Sequence, residues 1–338
     1  MSTQVARSIA PPGSDVPRSI DSGLPATDRV FFVGARAVGA LVLVLTGAIG
    51  LFLFLELIPT LHAYGLKFFT QANWYPAYGQ VGVAAAVVGT FEVAAVAIVI
   101  SVPLALLTAL YITEYAPRWL RGALVSLIDL MAAIPSIIYG LWGFFLLMPR
   151  AQELARWLSA YMGWFPLFKY PGVDPHAPMV LTSVYGASAA IAGVVVAMMV
   201  TPIACALMRA VFAQTPIGER EGALALGATR WGVIRSVVLP FGRSGIIGGT
   251  MLGLGRALGE TIAVALILSQ NFTITIHLLQ RGSITVSTLI ATAYSNASPG
   301  VLRALLAAGF VLFVITLIVN MIAAVFITRS RSGAATEI

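Results

Sequence analysis

The sequence predicts an all-α membrane protein with six transmembrane helices, and three observations carry that reading. Hydrophobic residues make up 59% of the 338-residue chain and charged residues 10%, against about 45–50% and about 25% in soluble domains. So few charges cannot coat a water-exposed surface. Six apolar stretches, roughly 32–58, 82–113, 121–148, 180–212, 242–270 and 303–328, each reach the ~20 residues a helix needs to cross the bilayer core. Helices rather than strands are expected, because an open strand edge leaves its backbone polar groups unpaired in lipid. Finally, with the N-terminus inside, the inner segments hold thirteen Lys and Arg residues and the outer segments six, which orients both termini inward.

Taken in order, residues 1–31 read as a disordered cytoplasmic tail, polar and rich in Pro, Ser and Gly up to residue 28. This is not a secretory signal, since the apolar run that follows is too long for one. Residues 32–80 hold the first span and an outer loop, and 81–328 the core of the remaining five spans. The longest inner loop, 213–241, joins spans four and five, and 329–338 form a second inner tail. The outer stretches NWYPAY (73–78) and YMGWFPLFKYPG (161–172) supply Trp and Tyr suited to the headgroup belt. Pro103 and Pro135 lie inside spans and predict kinks.

Several chemistries drop out. The net charge of +7 sits in short segments between spans, where it orients a membrane protein rather than binding nucleic acid. The single cysteine, Cys205, has no intramolecular partner and reads as a buried apolar thiol. His62, His176 and His277 fall in outer loops with no metal-ligand spacing. A GxxxxGK[ST] phosphate loop is absent from the sequence.

The inner loop contains EREGALALGATRWGVIRSVVLP, residues 219–240. Thr215 and Pro216 read as a helix N-cap and first position. Glu219 and Glu221 suit the positive end of the helix dipole. Gly227 can end this helix, and Thr229 can cap a second one. There Trp231, Ile234 and Val238 form one apolar stripe, with Arg230 and Arg235 off it, and Pro240 stops the element. Such a pair of short helices either lies on the inner leaflet or docks on a cytoplasmic partner.

The fifth span carries GLGRALGETIAVALIL, residues 253–268. Arg256 and Glu260 are four apart and so expected on one side of a helix. Each costs about 2.5–3.5 kcal/mol to insert, whereas an exposed i,i+4 pair returns only about 0.2–0.5 kcal/mol. A local salt bridge therefore explains them poorly. Either they hold subunits together, or Arg256 offers its planar fork of donors to an anion crossing the membrane. Glu56, Glu92 and Asp129 read as locally paired or headgroup-facing acids.

The loop resembles the EAA loop of ABC-importer permeases: Glu221, Ala223, Gly227, Leu239 and Pro240 fall in register, while Gly222 and Val237 replace the usual Ala and Ile. RALGET after the loop, with AAIPSIIYGLWGFFLLMP at 132–149, is similar to the PstC-type permeases of phosphate-specific importers. The resemblance implies the binding-protein-dependent, type I (MetI-like) permease fold. It implies a coupling surface at Glu221, Ala223, Leu226, Gly227, Ala228, Thr229 and Arg230, and a role for Arg256 and Glu260 in phosphate movement. It implies a second, PstA-like permease, two PstB-like ATPases and an external PstS-like phosphate-binding protein. By the same resemblance this chain is a transport subunit of the bacterial inner membrane, not an enzyme. It binds no cofactor, and its ATPase partners use the ATP. Import of another oxyanion such as sulfate or molybdate, a proton-coupled anion carrier and a non-transporting scaffold remain the alternatives.

Overall fold

The computed structural model describes residues 26–177 and 181–330. Of the tail expected over residues 1–31, residues 1–25 lie outside them, as do the last eight residues. The order is α1 (Ala26–Tyr64), α2 (Lys67–Thr70), a hairpin of β1 (Trp74–Tyr75) and β2 (Gln80–Val81), and α3 (Ala84–Leu110). Then come α4 (Arg118–Ala133), α5 (Ser136–Trp142), α6 (Met148–Met162) and α7 (Ala189–Phe212). The inner loop holds α8 (Ile217–Ala225), α9 (Arg230–Val233) and α10 (Leu239–Phe241). The chain ends with α11 (Arg243–Gly259), α12 (Ile262–Ile267), α13 (Val286–Ala293) and α14 (Pro299–Ser330). Wide π-helical turns at Tyr111–Tyr115, Gly143–Leu147 and Ile234–Val238 extend α3, α5 and α9.

Contacts divide the chain at Ile49 and Gly50. The first unit is described from Ala26, where α1 starts inside the stretch expected to be tail; Asp28 lies in its first turn, where a carboxylate favours helix. There the Arg36 guanidinium lies 4.1 Å from the centre of the Phe32 ring. The apolar side chains along this unit are exposed, as a lipid-facing helix requires.

The second unit packs around α7, which lies against α3, α4 and α11. The reason is legible residue by residue. Buried positions on α3 recur every four residues as Ala85, Gly89, Val93, Ala97, Ser101, Ala105 and Ala109. On α7 the run is Ala192, Val196, Val200, Ala204 and Met208. Small side chains let two backbones approach closely, which in lipid substitutes for the missing hydrophobic drive between helices. Gly193 marks the tightest point, where an added Cβ would lie 2.5 Å from Val96.

Four helices are long and apolar enough to cross a membrane, and two sharply bent pairs bring the number to as many as six. The expected third span is one of these: α4 and the α5–α6 segment meet at 92°, a break rather than a kink, at Pro135. The expected fifth span is likewise not one helix, because α11 ends at Gly259 and α12 restarts at Ile262. By contrast α3 runs unbroken past Pro103. Trp74, assigned above to the headgroup belt, is buried instead, in a cluster with Phe68, Val81 and Leu57, because the hairpin turns it inward. Tyr75, Tyr78, Tyr161 and Trp164 are exposed, as that belt requires.

Substituting Gly193→Val should push α3 and α7 apart and destabilise the complex by about 1–3 kcal/mol. Thermal melting of the purified transporter in mild detergent checks this, with a lower midpoint expected.

Candidate substrate pathway and coupling surface

The two breaks face each other, since α5 packs on α12 and a Cβ on Gly140 would lie 2.8 Å from the Ala263 Cα. Pro135 has no N–H to give the Met131 carbonyl; the Tyr139 hydroxyl donates to it instead, at 2.8 Å. At the second break Glu260 adopts an extended backbone, φ −66° and ψ 128°. Its carboxylate accepts from the Ala263 N–H at 3.2 Å, capping α12. Its carbonyl accepts from the Ser287 hydroxyl at 2.8 Å. Glu260 is thus buried, 8% exposed, and its side chain serves the break. The expectation that Arg256 and Glu260 share one helical face is corrected, because the helix ends between them.

Beyond Glu260 a seam of hydroxyls ties α13 to α3. Thr285 and Thr288 cap α13 reciprocally. The Val286 N–H donates to the Thr90 hydroxyl at 3.0 Å. None of these residues was singled out from the sequence: Thr285, Ser287 and Thr288 fall between the fifth and sixth expected spans, and a hydroxyl such as that of Thr90 carries no periodic signal.

Arg256 is exposed on α11 and makes no hydrogen bond or ion pair among the described residues. It borders an open groove of about 510 Å³ with Ile203, Met251, Leu252, Gly255, Thr316 and Asn320, drawn from α7, α11 and α14. A free guanidinium on a membrane helix is not a lipid-facing group; it belongs to a cavity or to a face that another protein covers. Of the other acids, Glu56 pairs with Arg303 at 3.8 Å, as local pairing predicts.

The inner loop folds as two short helices around Gly227. That residue has φ +86°, open to glycine at no steric cost. The Gly227 N–H donates to the Leu224 carbonyl at 2.9 Å and the Ala228 N–H to the Ala223 carbonyl at 3.0 Å, a Schellman ending for α8. Thr229 caps α9, accepting from the Gly232 N–H at 3.1 Å. Three expectations shift. Thr215 donates to the Phe212 carbonyl rather than capping α8. Pro240 lies inside α10, and the bend comes at Gly242, where a side chain would strike the Phe212 ring. Trp231 is exposed, while Val233, Ile234 and Val238 are buried against Phe212, Met208 and Ile112; Ile234 and Val238 lie as expected, and Val233 takes the place of Trp231 on the buried side.

Of the expected coupling residues, Ala223 and Ala228 turn toward that core, whereas Glu221, Leu226, Gly227, Thr229 and Arg230 face outward. Leu226 is 91% exposed, with Ile217, Leu224 and Trp231 also bare. The root of α8 was missed from sequence. Arg220 Nη1 lies 3.0 Å from Glu114 Oε1 in the π-helical turn after α3, and its Nη2 donates to the Phe212 carbonyl at 2.7 Å. This links the inner loop to two membrane helices across 106 residues of chain, a separation no local pattern reveals.

A profile for the family described as "Binding-protein-dependent transport system inner membrane component" matches residues 101–332. Phosphate transport system permease protein PstC 2 of Mycobacterium tuberculosis is 40% identical over 298 residues, covering 87% of this chain and 89% of its own. The PstC permease of Mesorhizobium japonicum is 36% identical over 311 residues, covering 91% and 93%. The crystal structure of a bacterial ABC transporter that imports alginate contains a chain matching at TM-score 0.57 and 18% identity, over 92% of this chain and 98% of that one; it shares the fold. This chain belongs to the binding-protein-dependent transport system inner membrane component family. It is a multi-pass transport subunit of the inner membrane, not an enzyme.

Two outcomes follow from the loop geometry. Gly227→Val should strain the left-handed position by about 1–2 kcal/mol, with Gly227→Asn milder; uptake driven by ATP should fall more than subunit yield, measured side by side. Glu114→Gln and Arg220→Gln should each cost about 1–3 kcal/mol, below the loss for a fully buried pair. The double variant should be less than additive in a thermal-melt cycle.

Proposed function

We propose that this chain is the transmembrane permease subunit of an ATP-driven importer of inorganic phosphate, lining the translocation pathway together with a second, PstA-like permease. The observation that carries the substrate is kinship: at 40% identity over 87% of the chain, the relatives are phosphate permeases. The bare Arg256 beside an open groove supports the reading, because a guanidinium fork matches phosphate oxygens in pairs. A homologous partner closing that groove would surround the passing anion with protein. Glu260 serves the pathway indirectly, by holding α12 against the end of α11.

Two PstB-like ATPases would seat on Glu221, Leu226, Gly227, Thr229 and Arg230, with Ala223 and Ala228 packing the loop from behind. This chain binds no cofactor in this scheme, and ATP is consumed by those partners. An external PstS-like protein would deliver phosphate to the outer loops. Closure of the ATPases would move α8, and the Arg220–Glu114 link would pass that motion to α3 and α7.

The test is uptake of radiolabelled phosphate into vesicles carrying the whole transporter, with and without internal ATP. Arg256→Ala should lower uptake at least about a hundredfold, equivalent to about 2.7 kcal/mol, with subunit stoichiometry unchanged. Unaltered uptake would remove Arg256 from the pathway. Uptake without ATP would replace the importer by a carrier, and stronger competition from sulfate or molybdate than from phosphate would change the substrate.

A further inference from the structure

A second cluster of arginines lies far along the chain from Arg256, where the inner loop joins the membrane helices. Arg121 on α4, Arg209 on α7 and Arg220 on α8 line one pocket of about 150 Å³, together with Ile112, Thr113 and Val125. That is roughly five times the ~30 Å³ share of a water molecule, enough for a phosphoryl group. Arg121 spends one nitrogen on the Thr113 carbonyl at 2.8 Å. Arg220 is held by Glu114 and the Phe212 carbonyl, yet its Nε is buried without a hydrogen-bond partner. Arg209 makes no hydrogen bond or ion pair among the described residues, and its Nε is likewise buried and unpaired.

Three guanidiniums therefore share one hollow against a single paired carboxylate, Glu114. Asp129, one turn beyond Val125 on α4, is exposed and forms no ion pair with Arg209 among the described residues. Buried donors without acceptors are costly, and like charges this close repel. Both penalties vanish when a doubly acceptor-rich anion enters. Basic pockets between helices at the cytoplasmic surface are suited to phosphate-bearing headgroups.

We propose that this pocket binds a phosphate group, supplied by an anionic lipid or by free phosphate in the cytoplasm, and that the bound anion clamps α4, α7 and α8 together at the root of the coupling loop. The clamp's effect on transport rests on the coupling reading above; the binding itself does not. Its ligands come from three elements, so occupancy would stiffen the joint through which α8 acts on the membrane helices. Arg121, exposed at the mouth, would admit and orient the group, and the half-buried Arg209, whose Nε is covered, would hold it.

The experiment uses the intact transporter carrying Arg256→Ala, so that the pathway does not contribute. In one arm the complex is placed in nanodiscs of phosphatidylcholine with or without phosphatidylglycerol. In the other it is delipidated in detergent and titrated with inorganic phosphate. Lipid adducts are counted by native mass spectrometry, and hydrogen exchange is followed over residues 209–221. Protection by phosphatidylglycerol alone identifies the lipid as the source, and protection by inorganic phosphate identifies the free anion. In either case Arg209→Gln and, independently, the exposed Arg121→Gln should weaken binding about tenfold. Equal adducts and equal exchange in the parent and both variants, with either probe, overturns the proposal.

Discussion

A bilayer supplies no water to a broken helix, and this constraint organises the whole molecule. Wherever the backbone ladder stops inside a span, protein must supply the missing partner. Two breaks fall within expected spans, and each is repaired by a side chain. The Tyr139 hydroxyl donates to the Met131 carbonyl alongside the Ile134 N–H, in place of the bond Pro135 cannot make. Glu260 caps the helix after its own break, and Ser287 serves the Glu260 carbonyl. Because α5 and α12 pack together, the two irregular segments lie side by side, with Glu260 buried between them and Pro135 and Gly259 exposed on the subunit's surface. Discontinuous helices brought together in this way are the common means by which transporters place polar groups at membrane depth.

The same constraint separates what the sequence discloses from what it conceals. Chemistry that acts over a few residues was readable. Gly227 ends α8 and Thr229 starts α9 because a left-handed turn and a cap are local demands. The four long helices α1, α3, α7 and α14 were readable because hydrocarbon thickness fixes their length, whereas the expected third and fifth spans proved to be broken. Glu260 was misplaced because helical geometry was assumed to continue past Gly259, and nothing in RALGET announces the break. Trp231 was placed with Ile234 and Val238 by a 3.6-residue period, yet Val233 is the residue buried beside them. The Glu114–Arg220 pair lay beyond any window, being a property of how α8 folds back under α3. Tertiary contact, in each case, decided what spacing alone could not.

The core explains how such a subunit stays together. The most extensive helix pairing in the second unit is the seam between α3 and α7, whose buried positions are apolar apart from Thr90 and Ser101. Polar groups are thereby left for the breaks, the groove and the loop root. The inner loop is anchored by Val233, Ile234 and Val238 against Phe212 and Met208, so α8 and α9 form a firm projection rather than a flexible tether.

That projection has a consequence for how the subunit must be made. Leu226 is nearly bare, with Ile217, Leu224 and Trp231 uncovered beside it. An oily knob left in the cytosol invites adhesion to other exposed greasy surfaces. If the ATPases proposed above cover it, a cell producing more of this polypeptide than of those partners would accumulate sticky orphans. Balanced synthesis, or prompt disposal of the surplus, is therefore demanded by one leucine at the tip of a turn.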